Sequence, residues 1–361
     1  MDPQYILRLE KIEKVLSRWL PDNQENTFPP WLAEVFPGLY ETINKQLLTA
    51  LYAPGIDLLS RGGKRWRPLL MTLVCEAFGG GDAAIPLAPL VEFCHNASLM
   101  HDDIEDNSDE RRGKPAVHLI HGVDAAINSG SFLYFLSAAC IGSWVQGLES
   151  AVPAPAPVLT AEVYDMWAGA LRKLHLGQAM DIHWHRHFDI IPSVEEYYVM
   201  CKLKTGCIAR FAAELGAFAA KTANAAYSKN KETCCLSAEE AGNAAEKLGV
   251  GFQILDDVKN LTTGLPGKKR GDDIVEGKKS LPVLLYLNQQ PLKKETVRHC
   301  FNAAASDGIN APEAEALIRE FQAAGVLTEA QERGKALIKE AGSFFAGTGC
   351  ELLAAFTGLI I

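Results

Sequence analysis

Two acidic clusters, far apart in the chain, each follow directly after an apolar run that has the spacing of a buried helix. The first spans residues 101–106, HDDIED, and the second lies within residues 252–260, FQILDDVKN. Burying several carboxylates is costly unless cations or hydrogen bonds offset their charge. We therefore expect two apolar helices that end at an internal acidic site. That site would hold hard cations, and the cations would in turn hold an anionic ligand.

Helical periodicity dominates the sequence, and no convincing period-2 strand is present. The chain has 361 residues, of which 48% are hydrophobic, so it can bury a sizeable core. Breakers separate the helices at Gly79–Gly81, in the Pro/Ala stretch 151–157 and at 263–267. The expected helices cover residues 4–20, 39–53, 65–78, 84–106, 122–147, 160–180, 194–203, 207–221, 237–262 and 280–288, with more beyond 290.

Charge and cysteine content narrow the class of protein. A formal net charge of −9 argues against non-specific nucleic-acid binding, which needs a basic face. The nine cysteines show no paired metal-ligand spacing, which favours reduced, mostly buried thiols in a cytoplasmic protein. The N-terminus is amphipathic and mixed in charge, unlike a signal peptide. No apolar run has the length of a membrane span, so we expect no transmembrane segment.

The first acidic cluster has the spacing of a cation site. In a helix, Asp102, Asp103 and Asp106 project from one face. Carboxylates suit Mg²⁺, which prefers oxygen ligands and keeps waters and substrate phosphates in its shell. The alternative is an exposed acidic helix end. The apolar residues just before the cluster, such as Phe93 and Met100, argue against that alternative.

The second cluster repeats this geometry with one difference. Asp256 and Asp257 form the pair, and Asn260 occupies the third position. An asparagine can accept a hydrogen bond from a metal-bound water but adds no charge. Two such clusters on separate helices could face each other and hold several Mg²⁺ ions between them.

Basic segments flank both acidic clusters. Arg and Lys are the usual ligands of phosphate oxygens, and Arg often binds them in a bidentate manner. Any one of these segments is best interpreted as solvated surface charge. Together they form two sets of cations, the layout expected for two diphosphate groups, one of them metal-bound. The segments are GGKRWRP at 62–68, RRG at 111–113, KTG at 204–206, GKKRG at 267–271 and EGK at 276–278.

This ordered series of motifs resembles the trans-prenyl diphosphate synthases over roughly residues 50–285. The shared motifs are Gly-Gly-Lys-Arg-x-Arg-Pro, His-x5-His-Asp-Asp-x-x-Asp, Arg-Arg-Gly, Gly-Gln-x-x-Asp, Lys-Thr-Gly, Phe-Gln-x-x-Asp-Asp and Gly-Lys-x3-Asp-x3-Glu-Gly-Lys. The resemblance implies an all-α bundle around a deep central cavity, of the class I isoprenoid synthase type, in a single domain over 1–361. Residues 1–35 would be a helical extension, and 290–361 would form the C-terminal helices.

The resemblance also implies the chemistry. An allylic diphosphate would be elongated by isopentenyl diphosphate, with several Mg²⁺ ions as cofactor and with a homodimer as the usual assembly. The allylic C–O bond would ionise, so no side-chain nucleophile is needed. That agrees with the lack of any defensible Ser-His-Asp or Cys-His arrangement.

Individual roles follow from the resemblance position by position. The Mg²⁺ ligands would be Asp102, Asp103, Asp106 and Asp256, with Asp257 in support. The contacts to the allylic diphosphate would be Arg111, Lys204 and Lys268. The reacting centre would be lined by Gln178, Asp181, Thr205 and Gln253. The diphosphate of isopentenyl diphosphate would be held by Lys64, Arg67, His95 and Arg112, and Lys278 completes the substrate-binding set.

Two departures from the family pattern stand out. Asn260 replaces the usual last aspartate of the second motif, which should weaken rather than abolish metal binding. The family often has basic residues near its C-terminus, whereas residues 356–361 here read FTGLII, so we do not expect a basic tail to close the site. The alternating histidines of segment 183–187 are interpreted as a surface helix end rather than a Zn²⁺ site, because no partner ligand is spaced to complete one.

Two alternative functions make different demands on these motifs. A class I terpene cyclase would need Ser or Thr at Asn260 and Glu at Gly264, so its second motif fails here. A non-catalytic partner subunit of a heteromer would be expected to lose aspartates or diphosphate-binding cations, and this chain keeps nearly all of them.

Product length depends on the residues that precede the first cluster. The growing tail must run along the helix that carries Asp102, past Ala97 and Ser98 and then Cys94. In the family, bulky aromatics at these positions stop growth at short products. We therefore predict free diphosphates longer than fifteen carbons. A deeper floor could be formed by Phe93, Phe132 or Phe135.

Overall fold

The computed structural model describes residues 2–21, 28–38, 45–148, 156–226, 237–264 and 270–360. Within these ranges the regular structure is almost entirely helical, which confirms the predicted all-α class. The helices are α1 (Pro3–Trp19), α2 (Phe28–Val35), α3 (Lys45–Ser60), α4 (Trp66–Ala77), α5 (Ala88–Glu105), α6 (Val117–His121), α7 (Val123–Ser137), α8 (Cys140–Leu148), α9 (Ala156–Arg186), α10 (Val194–Cys201), α11 (Cys207–Ala226), α12 (Ala238–Thr262), α13 (Asp272–Val275), α14 (Leu281–Gln289), α15 (Lys294–Asp307), α16 (Pro312–Ala323), α17 (Val326–Ala346), α18 (Glu351–Ala355) and α19 (Thr357–Ile360).

Short segments of other types connect these helices. Two antiparallel strands, β1 (Glu110–Arg111) and β2 (Lys114–Pro115), form a hairpin, and Lys202–Gly206 is a π-helical turn. Strands of two residues contain no alternation, so no sequence pattern could reveal them. The 3₁₀ turns are Gly81–Leu87, Pro291–Lys293 and Gly308–Asn310.

Several predicted helix bounds were wrong. The helix expected at 39–53 lies instead at Lys45–Ser60 and continues through Pro54, and residues 39–44 lie outside the described residues. Packing of α3 on α7 outweighs the proline signal, because Gly55 admits Leu133 so closely that an added Cβ would meet it at 3.1 Å. The helix predicted at 122–147 is divided into α7 and α8.

Other sequence expectations fall partly on residues that the structure does not describe. Helix α2 was not predicted, and α9 begins within the predicted Pro/Ala linker and continues to Arg186. Residues 151–155 of that linker and residues 265–269 lie outside the described residues.

The chain forms two compact units. Unit 1 comprises Met1–Leu171, Arg210–Gly242 and Phe345–Leu359. Unit 2 comprises Arg172–Ala209, Asn243–Phe344 and Ile360–Ile361. The single domain expected from the sequence stays a prediction.

The core of unit 1 is built around α5. Pro89 lies in the first turn of this helix, where its missing N–H costs nothing. Leu90, Phe93 and Ala97 are completely buried, and α5 packs against α1, α3, α4 and α7. This burial fixes the path of α5 and therefore the position of the aspartates at its C-terminal end.

The core of unit 2 is built around the C-terminal part of α12. Val250, Ile254 and Val258 recur at four-residue spacing and pack into a cluster that includes Tyr197 of α10 and Leu281 of α14. The second acidic cluster lies on the same helix, so its position also follows from a buried apolar face.

One stretch contradicts the expectation that no segment has the length of a membrane span. By length and composition alone, the stretch Val123–Leu148 is long enough and apolar enough to cross a membrane. In its most apolar window, 56% is buried inside the protein, and the turn at Ala138–Ala139 divides it. A core helix of a soluble protein passes the same test.

Candidate active site

The β1–β2 hairpin in unit 1 directs two adjacent arginines to different partners. Arg112 (φ 56°) and Gly113 (φ 76°) form the two-residue turn, and two positive φ values are the mark of a type I′ turn. Arg61 anchors the hairpin, because its Nη1 donates to Arg111 O at 3.0 Å and to Pro115 O at 2.9 Å. The side chain of Arg111 reaches the first acidic cluster at Asp103, while that of Arg112 reaches Asn96, about two turns earlier in α5.

The first acidic cluster ends α5 and is neutralised by Arg111. Asp103 is completely buried, and its Oδ1 accepts hydrogen bonds from Arg111 Nε at 2.7 Å and from Arg111 Nη2. Asp102 Oδ2 lies 3.7 Å from the same guanidinium, and Asp106 is the C-cap residue. Burial raises the pKa of Asp103, and the charge of Arg111 opposes that shift. Asp103 Oδ2 is buried and has no hydrogen-bond partner among the residues that the structure describes.

The residues assigned to isopentenyl diphosphate all lie in unit 1. Arg67 Nη1 lies 3.2 Å from His95 Nε2, and the Arg67 guanidinium stacks over Trp66 at 4.3 Å from the ring centroid. Burial, followed by the charge of Arg67, holds the pKa of His95 well below its usual range, so the imidazole is neutral at pH 7. Lys64 is exposed, and its Nζ lies 3.4 Å from Leu359 O.

In unit 2, a π-helical turn presents the Lys-Thr-Gly motif. Lys204 Nζ donates to Asp181 Oδ2 at 2.6 Å. Gly177 allows α9 to pack closely against this turn, because a Cβ at that position would overlap the backbone nitrogen of Lys204. Thr205 Oγ1 donates to Gln253 Oε1 at 2.7 Å, and Gln178 is half-buried one turn before Asp181.

The second acidic cluster places its two aspartates in different surroundings. Asp257 is buried and accepts hydrogen bonds from Tyr197 Oη at 2.6 Å and from Gln253 Nε2 at 2.9 Å. Burial, followed by the charge of Asp273, raises the pKa of Asp257 to about 7. Asp256 is half-buried. No sequence pattern indicated Tyr197, which lies 60 residues from its partner.

The structure explains the asparagine in the second motif. Asn260 is 1% exposed, and its Oδ1 accepts a hydrogen bond from Asp273 N at 3.1 Å. Its backbone carbonyl accepts from Gly271 N at 2.8 Å. Asn260 therefore holds the start of α13, a task that a neutral amide performs without adding a buried charge.

The remaining predicted cations are only partly described. Lys278 Nζ pairs with Glu276 Oε2 at 2.8 Å within unit 2. Lys268 lies outside the described residues. The histidine segment forms the end of α9, where His183 and His187 are exposed with ring centroids 4.5 Å apart, as expected for a surface helix end.

The predicted chain-length positions are buried beside a residue that the sequence did not reveal. Ala97 and Cys94 are completely buried, and Ser98 is half-buried. Trp167 Nε1 of α9 lies 3.3 Å from Cys94 Sγ and 3.0 Å from Ser137 Oγ. The bulky group at this depth is therefore Trp167.

The floor predicted from phenylalanines needs a correction. Phe135 is 72% exposed, so it cannot be an interior floor. Phe132 is half-buried and stacks on Phe36 with an interplanar angle of 9°. Phe93 is completely buried, as a floor residue would be. The spacing of Val163, Trp167, Ala170 and Leu174 along α9 is the sequence signal that could have revealed the tryptophan.

The donor chemistry of the acidic residues fits a hard cation. Within the described ranges, no three His, Cys, Asp or Glu side chains converge on one point as a ready metal site. The candidate ligands are nevertheless all carboxylates, the donors that Mg²⁺ prefers. The buried Asp103 Oδ2, to which no described residue donates a hydrogen bond, is an oxygen that a cation would satisfy.

Comparison with known proteins decides the family. A family model described as polyprenyl synthetase matches residues 49–317. The chain belongs to the polyprenyl synthetase family. It is 35% identical over 238 residues to a short chain isoprenyl diphosphate synthase of Methanocaldococcus jannaschii, a match that covers 65% of each chain. The chain thus spans slightly less than two thirds of that relative.

Further relatives agree with this membership. The chain is 32% identical over 255 residues to a geranylfarnesyl diphosphate synthase of Aeropyrum pernix, covering 68% of this chain and 73% of the relative. The crystal structure of a geranylgeranyl pyrophosphate synthetase from Pyrococcus horikoshii superimposes with a TM-score of 0.72 at 25% identity, covering 99% of both chains. These matches confirm the family resemblance drawn from the motifs.

Proposed function

We propose that this protein is a trans-prenyltransferase that elongates an allylic diphosphate with isopentenyl diphosphate and releases diphosphate. The observation that carries the proposal is the divergence of Arg111 and Arg112 at the hairpin. Arg111 contacts Asp102 and Asp103 in the acidic cluster. Arg112 donates a hydrogen bond to Asn96 of α5, and the neighbouring residue His95 contacts Arg67. A metal-assisted anion site and a purely cationic one are what two diphosphate substrates require.

The proposed roles within the reaction divide between binding and charge stabilisation. Arg111 and Lys204 would stabilise the charge that develops on the leaving diphosphate. Arg67, Arg112 and neutral His95 would bind the other diphosphate and orient the attacking double bond. Each of these cations already faces a protein partner, which keeps its position defined before a substrate binds.

Magnesium is the proposed cofactor. In unit 1 its proposed ligands are Asp102, Asp103 and Asp106, and in unit 2 the proposed ligand is Asp256. Bound Mg²⁺ supplies Lewis-acid neutralisation of the departing diphosphate. Thr205 and Gln253 are neutral and hydrogen-bonded to each other, so neither is a strong base. We therefore assign the final proton to the released diphosphate.

We also propose products longer than fifteen carbons. The side chains along the proposed path of the tail are small at Ala97 and Ser98. The two ends of the 18-residue α5 are about 27 Å apart at ~1.5 Å per residue, so a tail running along this helix has a long path.

A homodimer is proposed from an apolar surface of unit 1 that the described residues leave exposed. Val123, Ile127 and Phe135 are spaced along one face of α7, and they are 49%, 46% and 72% exposed. Leu119 on the adjoining α6 is 56% exposed. Contiguous apolar exposure of this kind marks an association surface. Light scattering should give twice the chain mass for the wild type and the chain mass for Ile127→Glu.

The cytoplasmic location stays a prediction.

The activity is tested by substrate dependence. Purified protein is incubated with MgCl₂, labelled isopentenyl diphosphate and allylic primers of five, ten or fifteen carbons. We expect diphosphate release that requires both substrates and stops with excess EDTA. Release from the allylic substrate alone would indicate a cyclase or phosphatase, and release in neither case would indicate a non-catalytic subunit.

A further inference from the structure

Helix α5 carries two buried polar residues that have no place in the chemistry above. Glu92 is 2% exposed, and Asn96 is completely buried. They are four residues apart and therefore lie on one face of the helix. A charge and an amide inside an apolar helix are costly unless they are bonded. Their contacts therefore indicate what they do.

Glu92 anchors one end of this pair. Its Oε1 accepts hydrogen bonds from Arg65 Nη1 at 3.0 Å and from Asn96 Nδ2 at 2.9 Å. Arg65 is fixed in turn, because its side chain is 4% exposed and its Nη2 donates to Leu59 O at 2.6 Å. The Arg65–Glu92 ion pair is thus a buried and rigid reference point.

Asn96 connects the Arg65–Glu92 ion pair to Arg112 by hydrogen bonds. Its Nδ2 also donates to Glu92 O at 2.7 Å, which turns its Oδ1 toward the hairpin. That oxygen accepts from Arg112 Nη1 at 3.2 Å, and the same nitrogen donates to Leu58 O at 3.0 Å. Nη2 and Nε of Arg112 donate to no acceptor in the part of the chain that the structure describes. One edge of the guanidinium is therefore held by the protein, and the other edge can face an anion.

Arg112 needs this support because it lies among other cations. Burial lowers the pKa of Arg112 to about 10, and the charge of Glu92 opposes that shift. Arg65 and Arg111 act in the same direction as burial. An arginine side chain in such a field gains by turning toward solvent, and its long stem has the rotamer freedom to do so. Bonds to Asn96 and Leu58 remove that freedom.

We propose that Glu92 and Asn96 are positioning residues that hold Arg112 in place for the diphosphate of isopentenyl diphosphate. The inference rests on the proposed function, which supplies the identity of the ligand. Both residues act through Arg112 and touch neither substrate. The preorganised guanidinium edge binds two diphosphate oxygens without a further loss of side-chain entropy.

The network continues into the N-terminal helix. Glu13 Oε1 on α1 accepts a hydrogen bond from Arg65 Nε at 2.7 Å. Helix α1 precedes residue 49, where the match to the family model begins. The side chain of Glu13 is 46% exposed, so solvent screens this outer bond. Helix α1 therefore supports Arg65 from outside, and Glu92 supplies the stronger contact.

The test compares two variants that have the same shape. Thr and Val differ at one terminal group, and only Thr retains a hydroxyl, which has both donor and acceptor capacity as the Asn96 amide does. Isopentenyl diphosphate is titrated into wild type, Asn96→Thr and Asn96→Val by calorimetry, without an allylic substrate. We expect the Kd to rise about threefold for Asn96→Thr and about tenfold or more for Asn96→Val. The KM of the allylic substrate should stay within about twofold of wild type in both.

A matched control removes a different ion pair between α1 and α4. Glu76 accepts from Arg8 at 2.7 Å and has no link to Arg65 or Arg112, so Glu76→Gln should leave both substrate affinities unchanged. Equal Kd values for the Thr and Val variants, or a matching loss in Glu76→Gln, would overturn the inference while leaving elongation by the wild type intact. A wild type that binds isopentenyl diphosphate but never elongates a primer would overturn the proposed function and leave the positioning role standing.

Discussion

The two acidic helix ends look alike in the sequence, yet the protein satisfies them by different means. In unit 1, the buried carboxylate of Asp103 is paired with the cation Arg111. In unit 2, the buried carboxylate of Asp257 is held by neutral donors, Tyr197 and Gln253, and its pKa rises to about 7. Burial raises the pKa of both carboxyl groups; the charge of Arg111 opposes the rise at Asp103, whereas the charge of Asp273 adds to it at Asp257.

This difference changes the expected role of each aspartate. In the first cluster, Arg111 opposes the effect of burial on Asp103, and three carboxylates are available to bind cations. In the second cluster, Asp257 is engaged within unit 2, which leaves half-buried Asp256 as the carboxylate for a cation. The Asp-Asp motif is therefore expected to contribute several cation ligands at the end of α5 and one ligand on α12.

The largest effects are expected from removing the proposed metal ligands. Asp102→Ala and Asp256→Ala should each lower kcat by about 10³-fold or more, because their effect is felt most as the C–O bond breaks. Asp257→Asn keeps the shape of the side chain and a hydrogen-bonding oxygen, and should lower kcat by about tenfold or less. Steady-state kinetics on folded variants measures all three. If Asp257→Asn is as damaging as Asp256→Ala, the proposed difference between the two clusters is wrong.

The next effect concerns stability. Arg111→Gln leaves the completely buried Asp103 without its cation and should lower the free energy of unfolding by about 3–5 kcal/mol. Tyr197→Phe removes one neutral hydrogen bond from Asp257 and should cost about 1–3 kcal/mol. Urea denaturation monitored by circular dichroism gives both values. A larger loss for Tyr197→Phe would mean that Asp257 is ionised and depends on that hydroxyl.

A smaller effect separates the two proposed diphosphate subsites. Arg67→Ala should raise the KM of isopentenyl diphosphate about 10- to 100-fold, since a charge-assisted bond contributes about 1.5–3 kcal/mol. Lys204→Ala should raise the KM of the allylic substrate by a similar factor. Initial rates with one substrate varied at a time would decide this. The assignment is reversed if Arg67→Ala impairs the allylic substrate alone.

The smallest effect is expected at Asn260. Asn260→Asp keeps the acceptor for Asp273 N and should retain activity within about threefold, with the same or a stronger affinity for Mg²⁺. Asn260→Ala leaves that buried N–H without its acceptor and should cost about 1–3 kcal/mol of stability. Thermal unfolding and Mg²⁺ titration provide the readouts. Complete loss of activity in Asn260→Asp would reveal a role beyond holding α13.

Local patterns in the sequence were enough to place the helices that carry chemistry. The apolar runs before Asp102 and Asp256 predicted α5 and most of α12, because burial of one face sets a 3.6-residue period. The bounds of α3 were missed because packing on α7 overrides Pro54, and the β1–β2 hairpin is too short to carry a pattern.

The partners of the key residues could not be predicted in the same way. Trp167 meets Cys94 across 73 residues, and Tyr197 meets Asp257 across 60. Such contacts are set by tertiary packing, and one sequence contains no direct signal for them. Glu92 and Asn96 did carry a signal, since two polar residues one turn apart interrupt an apolar helix. Their link to Arg112 emerged only from the folded geometry.

The most direct test of chain elongation is the length of the product. Wild type and Ala97→Phe are incubated with Mg²⁺, labelled isopentenyl diphosphate and a primer, and the dephosphorylated products are separated by chromatography. The account predicts products longer than fifteen carbons for wild type and sharply shorter ones for Ala97→Phe, because the phenyl ring fills the path of the tail without touching the aspartates. A wild type that stops at fifteen carbons, or an unchanged distribution in Ala97→Phe, would contradict the assigned path. The absence of any product longer than the primer would contradict the elongation itself.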